Sequence, residues 1–122
     1  MKRLVALIAA FSLLTGQAFA GTVYLTEYAG ILVGPQGIQS QVALEPPLAE
    51  QTVTSSGVSA SSAAVNAQTR IVRVTTDSIV CVVTGTGTVT ATTGKRRMAA
   101  DTVEYFAVPL GQSFKFAVIT CT

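Results

Sequence analysis

The side chains of this chain that could carry chemistry are few. It has two cysteines, Cys81 and Cys121, six carboxylates and no histidine. Without imidazole, a Ser–His–Asp or Cys–His mechanism and a histidine-ligated metal are excluded. Paired carboxylates could still do acid–base work if two converged. The candidates are Asp77, Asp101 and Glu104; Asp77 falls in a turn and the other two border a strand, so they read as solvated or turn-capping groups. Gly85-Thr86-Gly87 is rich in glycine, but no helix follows to present an N-terminus to a phosphate, so it reads as a hairpin turn. Lys95-Arg96-Arg97 is the one charge cluster. It is a candidate interaction loop for an acidic protein face or a phosphate backbone, and its plainer reading is a solvated loop tip. Tyr24 and Tyr28 are candidate interface aromatics, with a place at the core edge as the rival; Phe106, Phe114 and Phe116 read as core. No catalytic, cofactor-binding or metal-binding residue emerges, and the expectation is a protein that is not an enzyme and carries no cofactor.

The two cysteines lie 40 positions apart. In an oxidising compartment they would form a disulfide that ties down the last strand. Two small buried thiols are the alternative, and the residues alone leave both open.

The elements that must position these groups are strands. Outside the first twenty residues the chain is rich in Thr, Val, Ser and Gly, and β-branched residues fit a pleated surface. Period-two alternation marks strands at 22–28, 51–56, 70–76, 88–93, 102–108 and 113–120. Residues 79–84 read as a central strand, apolar on both sides; 31–33 is a candidate extension of the first strand after a break at Gly30, and 39–44 a weaker candidate. In the first of these, Val23, Leu25 and Glu27 share one face and Tyr24 and Tyr28 the other. Residues 59–65 suit a helical turn or a weak strand equally. Between 34 and 50, Gly34-Pro35-Gln36-Gly37 and Pro46-Pro47 break regular pairing, and the stretch reads as an extended arm or crossover. About eight short strands separated by turn residues, with no sustained helical period, predict an all-β fold: a small antiparallel β-sandwich, jelly-roll-like or Ig-like, filling residues 21–122 as a single domain.

Residues 1–20 differ from the rest. Lys2 and Arg3 precede an apolar run from Leu4 to Leu14, and Ala18-Phe19-Ala20 is a small-x-small cleavage pattern. This is the layout of a secretory signal peptide cut before Gly21, with an uncleaved N-terminal anchor as the alternative; the run is short for a membrane span of about 20 residues. From residue 21 onward six basic and six acidic residues balance. A neutral, sparsely charged β-domain is weakly protected against association, which suits life within an assembly, and a homo-oligomer is expected.

Several short runs carry a resemblance. Tyr24-Leu25-Thr26-Glu27-Tyr28-Ala29, Glu45-Pro46-Pro47, Ala49-Glu50-Gln51-Thr52-Val53, Thr69-Arg70, Val72-Arg73-Val74, Arg97-Met98-Ala99-Ala100, Glu104-Tyr105-Phe106 and Gly111-Gln112-Ser113 are among them. Over residues 23–119 the chain resembles small β-proteins encoded among bacteriophage and prophage virion genes. The resemblance implies a structural component of a phage particle, a capsid decoration or tail-associated protein whose partners are capsid or tail subunits, located in the virion. No small-molecule substrate or nucleic acid is implied, and a membrane enters only through the N-terminal segment if uncleaved. The signal-like segment departs from that pattern, since virion proteins assemble in the cytoplasm. Either the natural start lies further on, or the domain serves outside the cell membrane as an exported, periplasmic or secreted binding or adhesin-like module.

Overall fold

The computed structural model describes residues 20–37 and 39–122, with the main chain alone for 39–42. The signal-like segment therefore lies outside the described residues except for Ala20. The described residues form an antiparallel β-sandwich with almost no helix. Ten strands run β1 Thr22–Tyr28, β2 Ile31–Val33, β3 Gln39–Ala43, β4 Ala49–Thr54, β5 Ala60–Ser61, β6 Ile71–Thr76, β7 Val80–Thr86, β8 Arg96–Met98, β9 Val103–Ala107 and β10 Phe114–Thr120. The first sheet has the order β4-β1-β6-β9 and the second β5-β10-β7-β8; β2 and β3 form a two-stranded sheet of their own.

With β2 and β3 set aside, the eight sandwich strands have the neighbours 2-1-4-7 and 3-8-5-6. This is the jelly-roll arrangement of two interlocked Greek keys, with the N-terminal strand in the place of the closing one. Most connections cross from one sheet to the other, so the inward residues of both sheets meet in one core. Val23, Leu25, Val72 and Val74 from the first sheet face Val80, Val82, Met98, Phe116 and Val118 from the second, all essentially buried. Phe116 is the hub. The rings of Phe106 and Phe114 meet it edge-on at 5.4 and 5.6 Å, the geometry that the aromatic quadrupole favours.

Three expectations are corrected. The stretch 34–50 is not an extended arm: β2 and β3 fold into a hairpin, and a break at Glu45–Leu48, with a cis Glu45–Pro46 peptide, separates it from β4. Leu48 N–H returns to the Glu27 carbonyl at 2.7 Å, so the hairpin is a bent extension of the β1–β4 ribbon. Residues 88–93 are not a strand. β7 already has β10 and β8 as its two neighbours, which leaves no ladder free. The segment instead lies as a strap held by serines: Ser61 Oγ donates to the Val89 carbonyl at 3.0 Å, and Ala91 N–H donates to Ser59 Oγ at 2.8 Å. Its alternation is real, since Ala91 is buried, but side chains rather than a strand satisfy its main chain. Finally, the basic cluster is only partly loop, because Arg96 and Arg97 open β8.

Gly21, one residue before β1, is under tight constraint. A Cβ there would lie 1.6 Å from Ser78 Oγ and 2.5 Å from Ser78 Cβ. Its N–H donates to Ser55 Oγ at 3.1 Å, and its carbonyl accepts Ser55 N–H at 2.8 Å.

Candidate functional site

Glu27 has the most unusual setting of any charged side chain among the described residues. Period-two alternation puts it inward with Val23 and Leu25, and it is 1% exposed. A carboxylate so placed requires hydrogen-bond donors. Oε1 accepts from Gln51 Nε2 at 2.8 Å; Oε2 accepts from Asn66 N–H at 2.7 Å and Thr69 Oγ1 at 2.8 Å. The Gln51 amide is oriented by its other end, where Oε1 accepts Ala63 N–H at 3.0 Å. Glu27 thus ties β1 to β4 and to the 62–69 connection that crosses between the sheets. That connection is also pinned to the second sheet, through Ser62 N–H to the Phe116 carbonyl and Val65 N–H to the Phe114 carbonyl. With both oxygens engaged and no exposure, the carboxylate closes one side of the sandwich rather than meeting a substrate. Sequence reasoning puts Glu27 on one face with Val23 and Leu25 without assigning it a role; an acid at an apolar register position is the available signal.

The other side of the sandwich is closed by lighter means. Arg96 reaches from β8 to β9, with Nη2 2.6 Å from Glu104 Oε2 and its guanidinium 4.8 Å from the centre of the Phe106 ring. The two side chains of the ion pair remain 59% and 26% exposed. Of the basic cluster, Arg96 is therefore occupied within the fold, while Lys95 and Arg97 face solvent. Asp77 and Asp101 border one shallow depression with Tyr24 and Val103, whereas Glu104 stands apart with Arg96. Asp77 Oδ1 is already engaged by Thr22 N–H at 2.7 Å. Among the described residues no three Cys, Asp or Glu side chains gather as a metal-ion site would require.

Cys81 and Cys121 form a disulfide with their Cα atoms 5.5 Å apart. It sits on the outer face of the second sheet, beneath the 88–93 strap, and both residues are buried. That face is thereby covered. The outer face of the first sheet is not. The register sets Thr52, Tyr24, Thr75 and Val103 in one row across it and Glu50, Thr26, Arg73 and Tyr105 in the next. Tyr24, Val103 and Tyr105 are 47–61% exposed, and the neighbouring hairpin adds exposed Leu32, Val33 and Leu44. Between hairpin and sheet runs a groove of about 250 Å³ lined by Ile31, Ala43, Ile71 and Tyr105. Tyr28 does not join this surface. It is 3% exposed, at the end of β1 where the ribbon turns into the hairpin, so the expected Tyr24–Tyr28 pair is reduced to Tyr24 with Tyr105 as its companion.

Compared with family models, with curated proteins and with solved structures, the chain matches none.

Proposed function

We propose that this protein is a non-enzymatic structural component of a phage-type particle, a capsid-decoration or tail-associated protein that docks on larger subunits. The observation that carries the reading is the asymmetry of the two outer faces. One is covered by a strap and a disulfide, while the other leaves Tyr24, Val103 and Tyr105 exposed in neighbouring rows of the sheet. Exposed aromatics set among polar residues are enriched at protein–protein contacts. The hairpin would add contacts by lying against a neighbouring subunit. Mass spectrometry of purified particles tests the reading: recovery in a fixed ratio to the major shell or tail subunit is expected, and particles lacking the protein would remove it.

A second reading is favoured by the disulfide. A buried Cys81–Cys121 bond suits an oxidising compartment and, with the signal-like segment, an exported β-sandwich binding module in the periplasm or outside the cell. It predicts a native N-terminus at Gly21 and oxidised thiols. An intact Met1 on a reduced cytosolic product would end it.

A further inference from the structure

A cut before Gly21 would put a new α-amino group on the first residue that the sandwich grips. Ala20 is exposed, Gly21 is buried, and β1 begins at Thr22. The grip comes from two sides. Ser55, fully buried just after β4, accepts Gly21 N–H on Oγ at 3.1 Å, and its hydroxyl donates to the Gly21 carbonyl at 3.3 Å. From the β6–β7 turn come Asp77 and Ser78. A Cβ on Gly21 would lie 1.6 Å from Ser78 Oγ and 2.9 Å from Asp77 Oδ1. Covalent geometry puts a Cβ about 2.5 Å from its own nitrogen, so the Ser78 hydroxyl is within about 4 Å of Gly21 N and the Asp77 carboxylate within about 5.5 Å. Ser78 Oγ is buried and makes no hydrogen bond. A buried hydroxyl left in that state carries a desolvation cost. While Ala20 is attached, Gly21 has a single N–H to offer, and Ser55 already takes it.

We propose that Ser55, Asp77 and Ser78 form a seat for the α-ammonium group of a chain beginning at Gly21, so that processing itself tightens the fold. This rests on the exported reading above and adds a consequence of the cut. An ammonium brings three donors and a positive charge. One N–H stays on Ser55 Oγ, a second meets the unpartnered Ser78 Oγ, and the third lies in water where Ala20 stood. Asp77 supplies the opposite charge. Its carboxylate forms no ion pair among the described residues, and its Oδ1 is held beside the site by Thr22 N–H at 2.7 Å. Hydrogen bonds from a charged donor are roughly twice as strong as neutral ones. Glycine suits the position because Ser78 fills the space that any side chain would need.

The described strands all lie between Thr22 and Thr120, so a chain starting at Gly21 carries the whole sandwich. The test compares three such chains in urea unfolding: one with a free amine at Gly21, one acetylated there, and one that keeps Ala18-Phe19-Ala20. The free-amine chain is expected to have an unfolding constant about tenfold smaller than the other two. Ser78→Ala should remove most of that advantage while leaving the acetylated and extended chains within about twofold of their parents. Asp77→Asn, which keeps an acceptor for Thr22 N–H, should reduce the advantage by about threefold. Free and acetylated chains that unfold alike, or a Ser78→Ala loss equal in all three, would overturn the inference. A native product beginning at Met1, with the difference between the chains intact, would overturn the exported reading and leave the seat standing.

Discussion

The two sides of this sandwich solve one problem with very different chemistry. Between β4 and β5 a fully buried carboxylate accepts three hydrogen bonds from segments 24 to 42 residues away in sequence. Between β9 and β8 the joint is one ion pair, its arginine more than half exposed, stacked on a ring. The first arrangement punishes any loss of a partner, because a charge would be left buried. The second is screened by water and contributes little. The difference shows where the molecule is built to stay shut and where it is left accessible: the side with the weak joint adjoins the exposed tyrosines.

Substitutions can break or sharpen this contrast. The largest effect is expected at Glu27. Glu27→Gln sets an amide NH₂ against donors whose orientations are already fixed, and should cost about 3–5 kcal/mol in urea unfolding. A loss below about 1 kcal/mol would mean that the clamp does not hold that side. Next is the disulfide, which closes a loop of 40 residues. Replacing both cysteines by alanine should cost about 4 kcal/mol by the chain-entropy argument, read as a lower denaturation midpoint. Gly21→Ala should cost about 1–3 kcal/mol through overlap with Ser78, and adding Ser78→Gly should restore most of it; failure of that rescue would place the constraint elsewhere. On the weak side, Arg96→Ala should cost no more than about 1 kcal/mol, and the difference from wild type should shrink in high salt. Smallest of all, Tyr24→Ser with Tyr105→Ser should change stability by about 0.5 kcal/mol or less, because both side chains are already in water.

Much of this architecture can be read from alternation. The segments around Val23, Val72 and Phe114 have strong period-two patterns and each forms a strand with that face inward, while the continuous apolar run at 79–84 forms a central strand flanked on both edges. The alternating run 88–93 shows where the pattern stops being informative. It reports one buried face, and it cannot report that both edges of the neighbouring strand are taken. Both strands of the hairpin are legible, at 31–33 and 39–44, but that they pair with each other is not, because the glycine- and proline-rich stretch around them reads as breakers. The candidate surface was half legible. Tyr24 is recognisable, but Tyr28, which shares its parity, is 3% exposed at the end of β1, where regular alternation stops and local periodicity no longer decides burial. Tyr105 passed unnoticed in a strand whose opposite residues, Glu104 and Phe106, turned out to face the interior. The donors to Glu27 come from positions 51, 66 and 69, so only the folded chain could show that this acid is satisfied.

The account stands or falls on whether the open face of the first sheet is where the molecule attaches. Purified particles made with the Tyr24→Ser/Tyr105→Ser protein, weighed by quantitative mass spectrometry beside wild type, test this most directly. The account predicts wild type in a fixed ratio to the major subunit and near-complete loss of the variant, with the two proteins melting alike. Equal incorporation of the variant, or its loss together with a collapsed melting transition, would contradict the claim.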